Sequence, residues 1–480
     1  MGINNVAIKT FSSTGAQSVC RSNASDSSKL VESQFITRCK NEYINGSGMS
    51  VISGKTFSLT SGTTPSVENF RIPNDCDAIS EMILQMSVEL PLISATAHRI
   101  HSKTFLLDLI NKIEIYMGGI LIQTVRPSDI YVRNSTELNE GVKYNQPRWT
   151  GIVSSSNGLF YSSATSSFPA FTLDFAVSVP FPGRDKRMKH SFLNAGAYTN
   201  SLTVKVTYNK YTASKSLLAT HTTTIDATTG DTAETCTATT SLAVFSHNIT
   251  ETEKNFIQSN IINRVINTSE SIVPTVIGNS TTIASPKIFI PLSDLSINVS
   301  HILICLYHPL FVPAGTLIGN FIGGVGSSAA GVGYTGSGSA TIANLGSTWS
   351  EITQIGNGSA MANVGVPSGW LQSAELVIGS DRTGDISGSS LLANNLEGFG
   401  LTHTDNKGIY IFKTAETAFS TAGISFSKCN SVQLVLTLNA SYITAMTSIF
   451  NLSIVGPTIS VTACGTQIQT TVGGSISFSS

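Results

Sequence analysis

The stretch from Lys112 to Leu138 constrains the fold more than any other part of the chain. Ile113, Ile115 and Met117 alternate with Lys112, Glu114 and Tyr116, and a period of two predicts a half-buried strand. Gly118-Gly119 comes next, and glycine enters the positive-φ conformations of a tight hairpin turn without a steric penalty. Ile120-Leu121-Ile122 returns as the partner strand. Pro127-Ser128-Asp129 then opens a short helical segment that ends near Leu138. A lone hairpin is marginal in water, so its apolar face requires cover from further strands.

The chain supplies them on both sides. Met49–Leu59 and Asn69–Ile72 read as strands. Leu84, Met86, Val88 and Leu90 share a face opposite Gln85, Ser87 and Glu89, and Pro91 stops that strand. Leu173, Phe175, Val177 and Val179 repeat the pattern up to Pro180-Phe181-Pro182-Gly183, and Leu202, Val204, Val206 and Tyr208 repeat it again. Ser241–His247 closes the first half. Ser154–Ser167 and Lys210–Thr240, rich in Ser, Asn, Thr and Ala, read as surface loops. Thr250-Glu251-Thr252-Glu253 has the spacing of a capping box and predicts a short helix through Ser259.

In the second half, Lys287–Pro291, Ser300–Tyr307, Gly408–Phe412 and Val432–Leu438 read as strands. Phe450, Leu452 and Ile454 form another, and Thr458–Val461 is a further candidate. The Gly/Ser/Ala-rich segment from Pro313 to Thr404 reads as one long insertion with Trp349 and Trp370 as its largest anchors. A chain of 480 residues exceeds one core and suits two β domains. The expected division is an N-terminal arm over 1–45, a first domain over 46–250, a connecting helix over 251–263 and a second domain over 264–480.

Only 12% of residues are charged and the net charge is −1, so no field draws nucleic acid, and no direct nucleic-acid binding is expected. The arm is an exception: Lys9, Arg21, Lys29, Arg38 and Lys40 outnumber Asp26 and Glu32. It reads either as a contact for lipid headgroups or acidic partners, or as a solvated tail. No apolar run is long enough to span a membrane, and MGINNVAIKTFSS lacks the apolar centre of a signal peptide. Seven scattered cysteines, odd in number and without a C-x-x-C pair, predict free thiols.

Motifs for chemistry are weak. Gly331-Val332-Gly333-Tyr334-Thr335-Gly336 fits G-x-G-x-x-G, but no strand precedes it and no helix follows. Gly54-Lys55-Thr56 resembles the end of a phosphate loop whose first glycine is replaced by Met49. His98 and His101 have no third ligand nearby. Arg184, Asp185, Lys186, Arg187, Lys189 and His190 form the densest charge cluster, a solvated loop or a contact for an anionic partner or neighbouring subunit. No catalytic, cofactor-binding or metal residue is assigned, and no cofactor is expected.

Four places in order resemble the double jelly-roll major capsid proteins of large double-stranded DNA viruses. They are Ile115 with Gly118-Gly119 and Asn134–Leu138; Val177-Ser178-Val179-Pro180-Phe181-Pro182; Val244–Phe256; and Ile409-Tyr410-Ile411-Phe412 with Gly423-Ile424-Ser425-Phe426-Ser427-Lys428. Ser425, Lys428 and Ala422 depart from the family's usual Asn, Arg and Ser. The resemblance implies an all-β fold of two jelly-roll β-sandwich domains joined by a short helix. It also implies a homotrimer with pseudo-sixfold outline that meets neighbouring capsomers in an icosahedral virion. Minor capsid proteins or an internal membrane would lie on the inner face, with the 313–404 segment outward and the arm inward. The rival readings are a paired jelly-roll glycan-cleaving hydrolase, with acids converging at the domain joint, and an adhesin that uses the long loops.

Overall fold

The computed structural model describes residues 44–58, 66–73, 77–90, 97–101, 107, 109–137, 159–162, 171–182, 193–194, 201–209, 216–220, 237–251, 255, 258–259, 261–276, 287–307, 371–393, 409–416, 423–439, 458–472 and 475–479. The first half carries β1 (Ile44–Ser58), β2 (Ser66–Arg71), β3 (Ala78–Leu90), β4 (Ala97–His101), β5 (Ile110–Met117) and β6 (Ile120–Val125). Helix α1 (Pro127–Glu137) follows, then β7 (Leu159–Ser162), β8 (Phe171–Ser178), β9 (Leu193–Asn194), β10 (Leu202–Tyr208), β11 (Ser216–Thr220) and β12 (Thr237–Ile249).

Two antiparallel sheets hold the main strands, in the orders β1-β12-β3-β8 and β2-β10-β5-β6. With β4, β7, β9 and β11 set aside, the remaining eight strands read 1-8-3-6 and 2-7-4-5 in chain order. That is the wrap of a jelly roll. The inward alternation is the one read from the sequence: Leu84, Met86, Phe175 and Val177 from one sheet meet Ile113, Ile115, Val204 and Val206 from the other in one buried cluster.

The second half repeats this wrap. It carries β13 (Ile262–Ser271), β14 (Thr275–Val276), β15 (Lys287–Pro291), β16 (Asn298–Tyr307), β17 (Leu371–Ile378), β18 (Asp381–Arg382) and β19 (Ile386–Ser387). After helix α2 (Gly388–Ala393) come β20 (Ile409–Lys413), β21 (Ile424–Ser425), β22 (Val432–Leu438), β23 (Thr458–Val472) and β24 (Ser475–Ser479). The sheet orders are β13-β23-β16-β20 and β15-β22-β17-β18, again 1-8-3-6 and 2-7-4-5 once the short additions are set aside. Among the described residues, strands pair only within their own half.

The hairpin forms as read, with Gly118 at φ 58° and Gly119 at φ 84°. Glu114 departs from the expected half-solvated face. It is buried, because Lys112 at 2.6 Å and Lys205 at 3.4 Å, the latter directly across the β5–β10 ladder, close over it.

Several loops were strands. The Ser154–Ser167 segment contains β7, and Lys210–Thr240 contains β11 and the start of β12. β7 and β11 join β4 in a separate sheet of order β11-β4-β7. The three insertions leave from one end of the sandwich: Leu90 pairs with Phe171 and Glu89 with Thr237, so the ends of β3, β8 and β12 lie side by side. The hairpin tip and Ile44 lie at the opposite end.

The segment 313–404 is not a single insertion. Leu371, Ala374 and Leu376 are buried and β17 runs through the centre of a second-half sheet beside β22. A register shift between Leu371 and Ser373 puts the buried apolar positions three and then two apart, so no regular period marks this strand in a low-complexity stretch. Thr458–Val461 is the beginning of a 15-residue strand. The connecting helix expected over 251–263 lies largely outside the described residues, and β13 already begins at Ile262. Of the arm expected over 1–45, residues 1–43 lie outside the described residues and Ile44 already belongs to β1; the strand expected around Phe450–Ile454, Gly331–Gly336 and Arg184–His190 lie outside the described residues as well.

Candidate assembly site at the joint between the sandwiches

Local sequence builds the joint from α1. Pro127 stands at the first helical position, where its missing N–H costs nothing. The Asp129 carboxylate reaches back and accepts the Arg126 N–H at 2.7 Å, the return half of a capping box. Its other oxygen accepts the Thr462 hydroxyl of β23 at 2.5 Å, and Ser460 donates to Ser128 at 2.7 Å. One residue thus caps the start of a helix in the first half and anchors a strand of the second.

Period-two geometry puts Ser460, Thr462, Cys464 and Thr466 on one face of β23, and that face meets the first sandwich. At one end of the joint, Leu303, Cys305, Ile409, Ile411 and Cys464 merge with the first-half apolar cluster. The other end is polar. Gln123 of β6 donates to Ser269 O at 3.1 Å, and Arg133 of α1 donates to the Ser269 hydroxyl at 3.4 Å. Desolvation raises the Asp129 pKa, with the Thr462 hydroxyl and the Arg126 N–H pulling against it. Glu270 follows the same pattern: burial raises its pKa, and the Ser296 N–H at 2.8 Å and hydroxyl at 3.2 Å oppose the shift.

Acids do approach the joint, but Asp129 is fully engaged in capping and bridging. Its buried oxygens offer no surface to a substrate. Among the described residues, no group of three or more His, Cys, Asp or Glu side chains is placed to hold a metal ion. His98 and His101 fall on β4. Gly54-Lys55-Thr56 is a bulge in the β1–β12 ladder rather than a phosphate loop. The Lys55 N–H freed there is taken up by the buried Glu68 at 2.5 Å, and Glu68 also accepts from Tyr208 at 3.2 Å and from Thr240. A side chain at Gly54 would collide with that carboxylate. The Cys305 and Cys464 thiols are buried and the Cys429 thiol is half-buried, and none of the three is in a disulfide. Among the described residues no helix is long and apolar enough to cross a membrane.

Two sandwiches of identical wrap, set against each other by a buried joint, have counterparts among solved structures. A quasi-atomic model of the PBCV-1 virus capsid aligns over 92% of this chain and 99% of its own, with a TM-score of 0.55 and 14% identity. PBCV-1 VP54, in a crystal structure fitted into a reconstruction of the virophage Sputnik, aligns over the same shares with a TM-score of 0.54 and 14% identity. The fold is the double jelly roll. No family model matches the sequence, and no curated protein matches it. At this identity the double jelly roll is carried by topology and inward alternation rather than by shared residues.

The double jelly roll also presents apolar side chains outward. Met49 and Val51 on the edge strand β1, Val67 on the edge strand β2 and Phe289 on the edge strand β15 are all exposed. Val67 and Phe289 occupy the equivalent strand of the two wraps. Nothing in the sequence marks these positions, because a strand's outward face is legible only once its register is known.

Proposed function

We propose that this chain is the major capsid protein of an icosahedral virion, assembled as a homotrimeric capsomer of pseudo-hexagonal outline. The observation that carries the reading is the eight-strand wrap occurring twice, with the two copies bridged by the Asp129–Thr462 and Ser128–Ser460 hydrogen bonds. Two similar sandwiches per chain give six per trimer, which is how three subunits fill a sixfold position. The likeness to VP54 and to a PBCV-1 capsid supports the same role.

The work of such a protein is contact rather than turnover, and no catalytic role is proposed. Low charge lets β walls meet without stranding ions, and exposed apolar edge residues provide area to bury. The proposed units are an arm over 1–45, a first jelly roll over 46–250 and a second over 264–480. The end carrying the β11-β4-β7 sheet faces outward. In the second sandwich Tyr307 pairs with Thr458 at the start of β23, and the segment 308–370 that follows it is assigned to the outward end. The end carrying Ile44 and the Gly118-Gly119 turn faces inward, toward minor capsid proteins or an internal membrane. Protease treatment of intact particles tests this orientation: cuts within 308–370 and none within 1–43 agree with it, and the reverse pattern contradicts it.

A further inference from the structure

The joint inside the chain is head-to-tail: one side of a sandwich meets a different side of its neighbour. The first sandwich gives its fifth strand and the helix after it, β6 and α1. The second gives the outward face of its 1-8-3-6 sheet. β6 lies beside β13, and α1 lies over β23 and β16. The outward side chains of that sheet, among them Leu303, Cys305, Ile409, Ile411, Ser460 and Thr462, are buried.

Both halves of this contact occur a second time in the chain, and both are open to solvent. β18 is again the fifth strand: Ile378 pairs with Asp381 across a two-residue turn with Gly379 at φ 61°, as Met117 pairs with Ile120 across Gly118-Gly119. A helix, α2, again follows, and Arg382, Asp385, Ser389 and Ser390 on this side are exposed. The matching receiving surface is the outward face of β1-β12-β3-β8. Met49, Val51, Asp174 and Thr239 are exposed there, and a groove of about 690 Å³ is lined by Val51, Ser53, Gln85, Ser87, Asp174 and Ser241. β12 also carries the small hydroxyls of β23: Thr239 and Ser241 face outward two residues apart, as Ser460 and Thr462 do under α1. The face sealed within the chain is largely aliphatic. This one is mostly hydroxyl, amide and carboxylate, which suits a surface that stays wet until a partner covers it.

We propose that the joint is repeated between chains: the β18–α2 side of one copy's second sandwich seats in the groove on the β1-β12-β3-β8 face of the next copy. A head-to-tail contact closes into a ring when its rotation fits. Three copies then alternate the joint within the chain with this one between chains. The inference rests on the homotrimer proposed above and names the surfaces that close it.

Light scattering of the full-length protein carrying Val51→Arg or Ser389→Arg tests it, with Asn69→Arg as the control. Val51 and Ser389 lie on opposite sides of the proposed contact, and Asn69 is exposed on β2 of the other sheet. An unpaired arginine buried at a contact is expected to weaken trimer formation at least about a hundredfold in each of the first two variants. Asn69→Arg is expected to leave it unchanged. All three positions are exposed within one chain, so the circular dichroism of each variant should match wild type. Trimers that survive either Val51→Arg or Ser389→Arg overturn the inference and leave the trimeric reading standing. A wild-type protein that is monomeric at every concentration overturns both.

Discussion

Asp129→Ala is the sharpest perturbation of the joint. It removes the acceptor of the Arg126 N–H, an end-cap contact worth about 1 kcal/mol. It also leaves the buried Thr462 hydroxyl without its acceptor, at roughly 1–3 kcal/mol. The expected loss is therefore about 2–4 kcal/mol, read as a shift of the guanidinium unfolding midpoint at constant slope. The pH dependence has a definite sign. Burial raises the Asp129 pKa above its ordinary 3.8, so the folded protein holds the proton more tightly than the unfolded chain. The protonated form's advantage is fully present below 3.8 and is lost as pH rises through the higher folded value. Asp129→Asn keeps the shape and deletes the titration, so its stability profile should be flatter than that of wild type across this window. A loss below about 0.5 kcal/mol for the alanine variant, or parallel profiles for wild type and Asp129→Asn, would refute the account of the joint.

Three further outcomes are expected. Glu68→Leu strands the Lys55 N–H and the Tyr208 and Thr240 hydroxyls together, and should cost about 3 kcal/mol or more in denaturant unfolding, with Glu68→Gln milder. Gly465→Ala places a methyl group against the Asn298 carbonyl where β23 and β16 approach most closely, and should lower stability by more than about 2 kcal/mol by the same measurement. Burial alone would raise the Glu114 pKa, but Lys112 and Lys205 outweigh it and hold the pKa below 4.5. Its contribution is present above 4.5 and lost as pH falls through the lower folded value, and Lys205→Met should move its carboxyl carbon titration upward in NMR.

The legible parts of the fold were strands with one wet face. In β3, β5 and β10 the alternation survives because their outward residues remain polar and partly exposed, Glu114 and Thr207 excepted. β13, and β23 beyond Val461, stayed hidden for the opposite reason. Asn263, Thr268 and Ser269 in one, and Ser460, Thr462, Thr466, Gln467 and Gln469 in the other, are polar yet buried. Several of them find partners in α1, in β6, in Ser296 and in each other, as in the bond from Thr470 to Asn263, and their polar side chains break the hydrophobic period. The hairpin that organises the first half was legible to the residue. The joint was not, because Asp129 reads locally as a helix cap and its second bond is made 333 residues away.

The most direct test of the capsid account is the mass of the full-length protein in solution, by size-exclusion chromatography with light scattering. The account predicts a stable species of three times the chain mass that persists on dilution. A strict monomer at every concentration would contradict it.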